Sequence, residues 1–275
     1  MPELPEVEIV RRGMERAILD KNIQSVKINR YDLRIPVPQD FGQTVTGKKV
    51  EKLSRRGKYI IIDLGGNIVG VLHLGMSGRV RIFSPDDSYK AEKHDHLVFT
   101  MEDGTCFAYE DPRRFGMFYL AANDWERQKP FVSMGPEPLG EWPDDSFFES
   151  LQNKKAPIKT VLLDQHVVAG LGNIYVCEAL YRAEVDPRRV ANTITREEAK
   201  KIRAFSRTVL EEAIEVGGST LKDYQHTDGS LGYFQHRFSV YDQENEECAN
   251  KKCSAKIERF VQAGRSTFYC PSCQK

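Results

Sequence analysis

Four cysteines crowd into the last 28 residues of the chain, as CANKKC and, after sixteen intervening residues, CPSC. Four residues separate Cys248 from Cys253, and two separate Cys270 from Cys273. Two tight pairs of thiolates suit one tetrahedral structural Zn²⁺, and a ribbon this short needs the metal in place of an apolar core. Two disulfides are the weaker alternative. The opening MPELPEVEIVRR has no basic region and no long apolar run, so it does not read as an export signal and the expected compartment is the reducing cytoplasm. The ribbon carries Lys251, Lys252, Lys256, Arg259, Arg265 and Lys275 against the single acid Glu258. A zinc tetrathiolate contributes about −2, leaving a local surplus of about +3. AGRST reads as a hairpin turn with Arg265 at its tip, which suits phosphate contact, although a solvated charged hairpin fits the same residues.

The whole chain, 275 residues with a formal net charge of zero, is long enough for two cored domains. Zero net charge alone argues against a nucleic-acid partner, so any such partner must be held by local basic faces. No apolar stretch approaches a membrane span, and no membrane partner is expected.

From Pro5, the residues Val7, Val10, Met14 and Ala17 recur at helical spacing, with Pro5 in the first turn and Glu6 and Glu8 near the positive end of the helix dipole. Pro2 and Glu3 then sit just ahead of a helix N-terminus. Residues 24 to 122 read as short antiparallel strands, with hairpin signals at Gly65-Gly66-Asn67 and Asp103-Gly104, which suggests a sandwich or barrel. Pro130, Pro136, Pro138 and Pro143 mark a connection. Helices follow: DDSFFESLQNK, a pair joined at Gly170-Leu171-Gly172, and a long helix with a capping box at Thr195 and Glu198 and a glycine stop at Gly217.

Chemistry is suggested at several points. Backbone N–H groups at Gly170-Leu171-Gly172-Asn173, with Asn173 as cap, form an anion site, though such turns mostly just reverse the chain. EDPRRFG places Arg113, Arg114 and Phe115 after a strand. Paired arginines beside an aromatic can enter a duplex, but the motif alone reads better as an edge strand with Phe115 in the core. Met76, in HLGMSG, invites the same two readings. Methionine before proline is ordinarily removed, which exposes Pro2 as a secondary amine. An α-amino group near pKa ~8 is far more often unprotonated at neutral pH than a lysine near ~10.4, so Pro2 is a ready nucleophile. Glu3 beside it can move protons, and Lys58 in RRGKY is a further basic partner.

Together these residues resemble one family. MPELPEVE, RRGKY, HLGMSG, KHDH, EDPRRFG, GLGNIY and GRSTFYCPSCQ match, in order from Pro2 to Gln274, bacterial formamidopyrimidine-DNA glycosylase. Leu4 separates the chain from the endonuclease VIII-like branch, which usually has glycine there. The resemblance implies a bifunctional glycosylase and abasic-site lyase that removes 8-oxoguanine and formamidopyrimidines from duplex DNA. It makes Pro2 the nucleophile at C1′, Glu3 the acid/base, Lys58 the β-elimination lysine, and Arg265 the finger arginine on phosphate, also linked to δ-elimination. It puts His94, Arg113, Lys154, Lys155 and Asn173 on DNA, with Arg114 beside them, and assigns Met76, Arg113 and Phe115 to the gap left by the flipped nucleotide. The loop from Gly217 to about Gln235, with Gly218, Ser219, Thr220 and Tyr224, becomes the lid over the lesion, and Glu6 lies near that pocket.

The implied fold is α+β and multidomain. An N-terminal helix on an antiparallel β-sandwich occupies 1–130, a linker 131–142, and a helix–two-turn–helix domain 143–237. A four-Cys zinc finger follows over 238–275. The expectation is one structural Zn²⁺, no organic cofactor, and a cytoplasmic monomer acting on DNA. A non-catalytic zinc module that only binds DNA is the competing reading. One departure stands out: many members space the first zinc pair by two residues, whereas this chain uses four, which puts the finger geometry in question.

Overall fold

The computed structural model describes residues 2–219, 227 and 232–275. Thr220 and Tyr224 therefore lie outside the described residues. The chain forms two compact units, Met1–Val132 with Val216–Tyr233, and Ser133–Glu215 with Phe234–Lys275. The segment after residue 215 groups with the first unit rather than with the helices. Its physical ties are visible: the Ile82 N–H donates to the Thr227 carbonyl at 3.0 Å, and Ser219 donates to Glu6.

The first unit opens with helix α1 (Leu4–Ile18), in which Pro5 occupies the first turn, where its missing N–H costs nothing. Leu4, Val7, Val10, Met14 and Ile18 are buried along one face, the spacing expected of an amphipathic helix. That stripe packs on the strands of two four-stranded antiparallel sheets. One sheet runs β1 (Ile23–Ile28), β6 (Asp95–Met101), β7 (Cys106–Glu110), β5 (Arg79–Phe83). The other runs β2 (Lys52–Arg56), β3 (Tyr59–Asp63), β4 (Val69–His73), β8 (Met117–Ala121). The turns at Gly65–Asn67 and Asp103–Gly104 close the β3–β4 and β6–β7 hairpins as the sequence suggests. The run from 24 to 122 is not all strand, however. It includes helix α2 (Phe41–Val45). Phe41 is fully buried there, edge-on to Phe118 and Phe99, so tertiary packing fixes a helix too short to announce itself.

Charge also fastens α1. Glu8 accepts from Arg11 at 3.0 Å, Arg12 at 2.8 Å and Arg55 on β2 at 3.2 Å. Burial pushes the Glu8 pKa up, but the guanidinium groups outweigh it and hold the carboxyl below its usual range.

The second unit holds α3 (Asp144–Gln152), α4 (Ile158–Leu162), α5 (Asn173–Arg182) and α6 (Arg196–Glu215). A hairpin of β9 (Glu258–Gln262) and β10 (Arg265–Tyr269) follows them. The capping box opening α6 is present: Glu198 accepts the Thr195 N–H at 2.8 Å and the Thr195 hydroxyl accepts the Glu198 N–H at 3.2 Å. Gly217 lies at φ 83°, the left-handed region expected of a helix stop. The helix pair joined at Gly170–Gly172 needs correction, because α4 has only five residues and turns fill the interval before α5. Gln165 organises that interval. Its amide donates to the Leu163 and Leu171 carbonyls and accepts the Gly170 N–H, bonds that compete with helix continuation.

Removing the Glu8 carboxylate leaves Arg11 and Arg55 half-buried without it, so Glu8→Ala is expected to lower the unfolding free energy by roughly 1–3 kcal/mol in urea titrations. Because the folded-state pKa is depressed, this stabilisation is present above the unfolded value near ~4.3 and is lost as pH falls through the folded one. The gap between mutant and wild type should therefore close in acid. An unchanged midpoint at neutral pH would contradict the assignment.

Candidate functional site

In the first unit, Pro2 and Glu3 are buried just ahead of α1, where Glu3 is the N-cap. The Glu3 N–H donates to Glu6 Oε2 at 2.9 Å. Glu6 Oε1 accepts both the N–H and the hydroxyl of Ser219 at 2.9 Å. One buried carboxylate thus ties the start of the chain to the start of the 219–232 segment. Gly217 and Gly218 both have φ above 70°. A Cβ on Gly232 would come within 2.4 Å of the Gly218 carbonyl, so this neck admits no side chain there.

Lys58 follows the left-handed Gly57 (φ 56°) in the β2–β3 turn and is largely buried. Nearby is a residue that sequence reasoning missed. His73 ends β4, with its ring 4.6 Å from that of Tyr59. Burial, then the charges of Lys58 and Arg34, push its pKa down to about 4. Its Nδ1 faces the Gly75 N–H at 3.1 Å and so accepts. The imidazole is therefore neutral with its proton on Nε2, an uncharged donor in a cationic setting. The available signal was a polar residue closing an apolar strand, just before HLGMSG.

Met76 is 37 % exposed and Phe115 is 44 % exposed. Those values overturn the reading of Phe115 as core. Arg113 lies over the Phe115 ring at 5.0 Å. Arg114 occupies a left-handed conformation (φ 57°) and pairs with Asp32 at 3.1 Å. His94 is half-buried just before β6, where its carbonyl accepts the Asp111 N–H.

In the second unit, Lys154 and Lys155 follow α3, Lys155 exposed and Lys154 partly so. Asn173 is the first residue of α5, with Gly172 as N-cap. It is therefore not the cap, and its Nδ2 donates to the Ser266 carbonyl at 2.9 Å. Lys159, another residue missed in the sequence, is 1 % exposed, and its ammonium donates to the same carbonyl at 3.0 Å and to Thr267 Oγ1 at 2.7 Å. Both donors fix the residue next to exposed Arg265, which opens β10 after a turn at Ala263 (φ 49°) and Gly264 (φ 73°). Lys159 hid inside the apolar run IKTVLL. Glu178 on α5 accepts the N–H groups of Ser239, Val240 and Tyr241 and anchors the approach to the finger. Burial nonetheless keeps its pKa raised.

Cys248, Cys253, Cys270 and Cys273 bring their sulfurs within 4.8 Å of one another. The pairs Cys248–Cys273 and Cys253–Cys270 stand 3.8 and 3.7 Å apart, too far for disulfides. Four sulfurs about 2.3 Å from a tetrahedral metal lie about 3.8 Å apart, so the set fits zinc. The four-residue first knuckle closes without difficulty: the Cys248 N–H donates to Ala255 and the Cys253 N–H to Asn250.

Comparison with known proteins agrees with this geometry. The formamidopyrimidine-DNA glycosylase N-terminal domain model matches residues 1–118, and that family's H2TH domain model matches 134–225. A zinc finger found in FPG and IleRS matches 247–275. Formamidopyrimidine-DNA glycosylases of Caulobacter vibrioides and Ruegeria pomeroyi are 49 % and 47 % identical, over all of both chains. The chain belongs to the formamidopyrimidine-DNA glycosylase family. It is a DNA glycosylase with abasic-site lyase activity, an enzyme of base-excision repair. A Lactococcus lactis FPG variant complexed with Fapy-dG containing DNA superposes with TM-score 0.90 at 36 % identity, covering 100 % of both chains. MutM (FPG) from Thermus thermophilus gives TM-score 0.87 at 37 % identity over 99 % of this chain and 98 % of its own. No described helix is long and apolar enough to cross a membrane.

The state of His73 is directly measurable. Its ¹⁵N signals should report the neutral Nε2–H form with no titration between about pH 5 and 8. Since the folded pKa lies below the unfolded value of 6.5, its contribution to stability is present above about pH 6.5 and fades as pH drops toward 4. A midpoint near 6.5 in the folded protein would refute the burial argument.

Proposed function

We propose that this glycosylase removes oxidised purines, 8-oxoguanine and formamidopyrimidines, from duplex DNA, with Pro2 as nucleophile. The observation that carries the reading is the N-terminus itself. Pro2 stands ahead of a helix whose apolar face is locked in the sandwich and whose first turn is tied by Glu6. Support for the lesion class comes from the Lactococcus relative, which is complexed with DNA containing Fapy-dG.

With Met1 removed, the Pro2 nitrogen bonds to C1′ as the bond from C1′ to the base breaks and the departing base takes up a proton. Opening of the sugar gives an iminium, which acidifies the 2′ hydrogen. Loss of that proton expels the 3′ phosphate, a second elimination expels the 5′ phosphate, and water then frees Pro2. Glu3 moves protons in base release, and Lys58 assists β-elimination. Arg265 holds a phosphate and serves δ-elimination.

Reaching C1′ requires the nucleotide to leave the stack, at a cost of a few kcal/mol. Met76, Arg113 and Phe115 fill the gap, while His94, Arg114, Lys154, Lys155 and Asn173 contact the strands. Glu6, Gly217, Gly218 and Ser219 belong to the lesion pocket, Glu6 bonding Ser219, and Thr220 and Tyr224, outside the described residues, are assigned to the same pocket. The four cysteines hold one structural Zn²⁺, which stiffens the finger, and the chemistry needs no organic cofactor. The enzyme acts as a monomer in the bacterial cytoplasm.

Borohydride should trap a covalent adduct between the protein and duplex DNA bearing 8-oxoguanine opposite cytosine. Pro2→Gly, or protein with Met1 retained, should lose at least about 100-fold of that adduct, the scale expected for a nucleophile. Full trapping by either form would rule Pro2 out.

A further inference from the structure

Two turns carry the three side chains assigned to the gap in the duplex. One is Leu74–Gly78, with Met76 at its middle, and the other Asp111–Gly116, with Arg113 and Phe115. Their backbones touch. Gly75 is at φ 65°, and a Cβ there would fall 2.4 Å from the Gly116 nitrogen and 2.5 Å from the Phe115 carbonyl carbon. Glycine is required on both sides of this contact, because a Cβ on Gly116 would meet the Tyr109 hydroxyl at 1.9 Å.

A buried polar network underlies the contact. Asp111 is 0 % exposed. Its Oδ1 accepts the Ser77 hydroxyl at 2.7 Å, and its Oδ2 accepts the Gly116 N–H at 2.8 Å and the Tyr109 hydroxyl at 3.2 Å. Ser77 Oγ in turn accepts the Arg113 N–H at 3.2 Å. The Asp111 N–H donates to His94 O at 3.1 Å. The Asp111 carbonyl accepts from His96 Nε2 at 2.7 Å, which places the His96 proton on that nitrogen.

From this network we infer that Ser77 and Asp111 are positioning residues that set Met76, Arg113 and Phe115 as one wedge. Ser77, next to Met76, and Gly116, next to Phe115, donate to this one carboxylate, and the backbone N–H of Arg113 donates to the Ser77 hydroxyl. A buried carboxylate is costly unless every lone pair is used, and here each oxygen accepts a bond in a fixed direction. Cutting the Ser77 link leaves the turns folded around their glycine contact but frees Met76 from the register of Arg113. The inference rests on the proposed role of the three side chains, and its consequence is confined to steps that displace a base. A wedge matters when the duplex must be opened. It matters less at an abasic nucleotide with no base to unstack.

The test compares Ser77→Ala and Ser77→Thr with the full-length wild type. In single turnover, Ser77→Ala should slow excision of 8-oxoguanine from a duplex by about 10- to 100-fold. Cleavage at a preformed abasic site should change by less than about threefold, and Ser77→Thr, which keeps the hydroxyl, should restore excision. Adding Ser77→Ala to a protein already carrying Met76→Ala, Arg113→Ala and Phe115→Ala should cost nothing further, as expected for residues acting as a unit. Equal cost in both backgrounds, or equal slowing at abasic sites, would overturn the inference. A second readout needs no excision. 2-Aminopurine opposite a tetrahydrofuran analogue should brighten on binding wild type and markedly less on binding Ser77→Ala. An identical signal from both proteins, or none from wild type, would also overturn it. Absent excision by a wild type that still brightens the probe would instead count against the lesion class alone.

Discussion

The burial of one helical face is the constraint on which the rest depends. Leu4, Val7, Val10, Met14 and Ile18 give α1 no alternative to lying on the sheets, each such side chain contributing about 1.5–3 kcal/mol by its removal from water. A chain end normally frays. Here the first residues of a buried helix cannot, and whatever group precedes that helix inherits a fixed address. A nucleophile at such an end gains orientation from packing that serves stability anyway.

Buried charges do the fine placement. Glu6 ties the helix start to Ser219, and Asp111 ties two probing turns together. In the second unit, Lys159 holds the strand beside Arg265 and Glu178 holds the approach to the finger. Burying a charge contributes little net stability even when every bond is made, while breaking its partners costs several kcal/mol. Such groups earn retention by specificity of position, and here all four sit next to segments that carry the proposed chemistry.

Much of this was legible in the sequence for physical reasons. β-rich runs broken at Gly65–Asn67 and Asp103–Gly104 gave the hairpins, the Thr195–Glu198 box gave the start of α6, and the cysteine spacing gave the cluster. Beyond His73 and Lys159, other features were not legible. Helix α2 exists because Phe41 fills a hole among Phe99 and Phe118, a contact no local pattern encodes. The turns before α5 depend on Gln165 bridging several carbonyl and amide groups, which looks like any glutamine in sequence. On its motif alone Phe115 read as core, and Met76 stayed open between core and exposed, because hydrophobicity reports what a side chain would prefer. Their exposure is set by glycines that bring two turns into contact.

The central claim is that the proline nitrogen at the start of α1 forms the bond to the sugar. It is tested most directly by digesting the reduced protein–DNA adduct with trypsin and locating the added mass. The account predicts a sugar remnant on the peptide running from Pro2 to Arg11. A remnant on the peptide bearing Lys58, or on any other lysine, would contradict it.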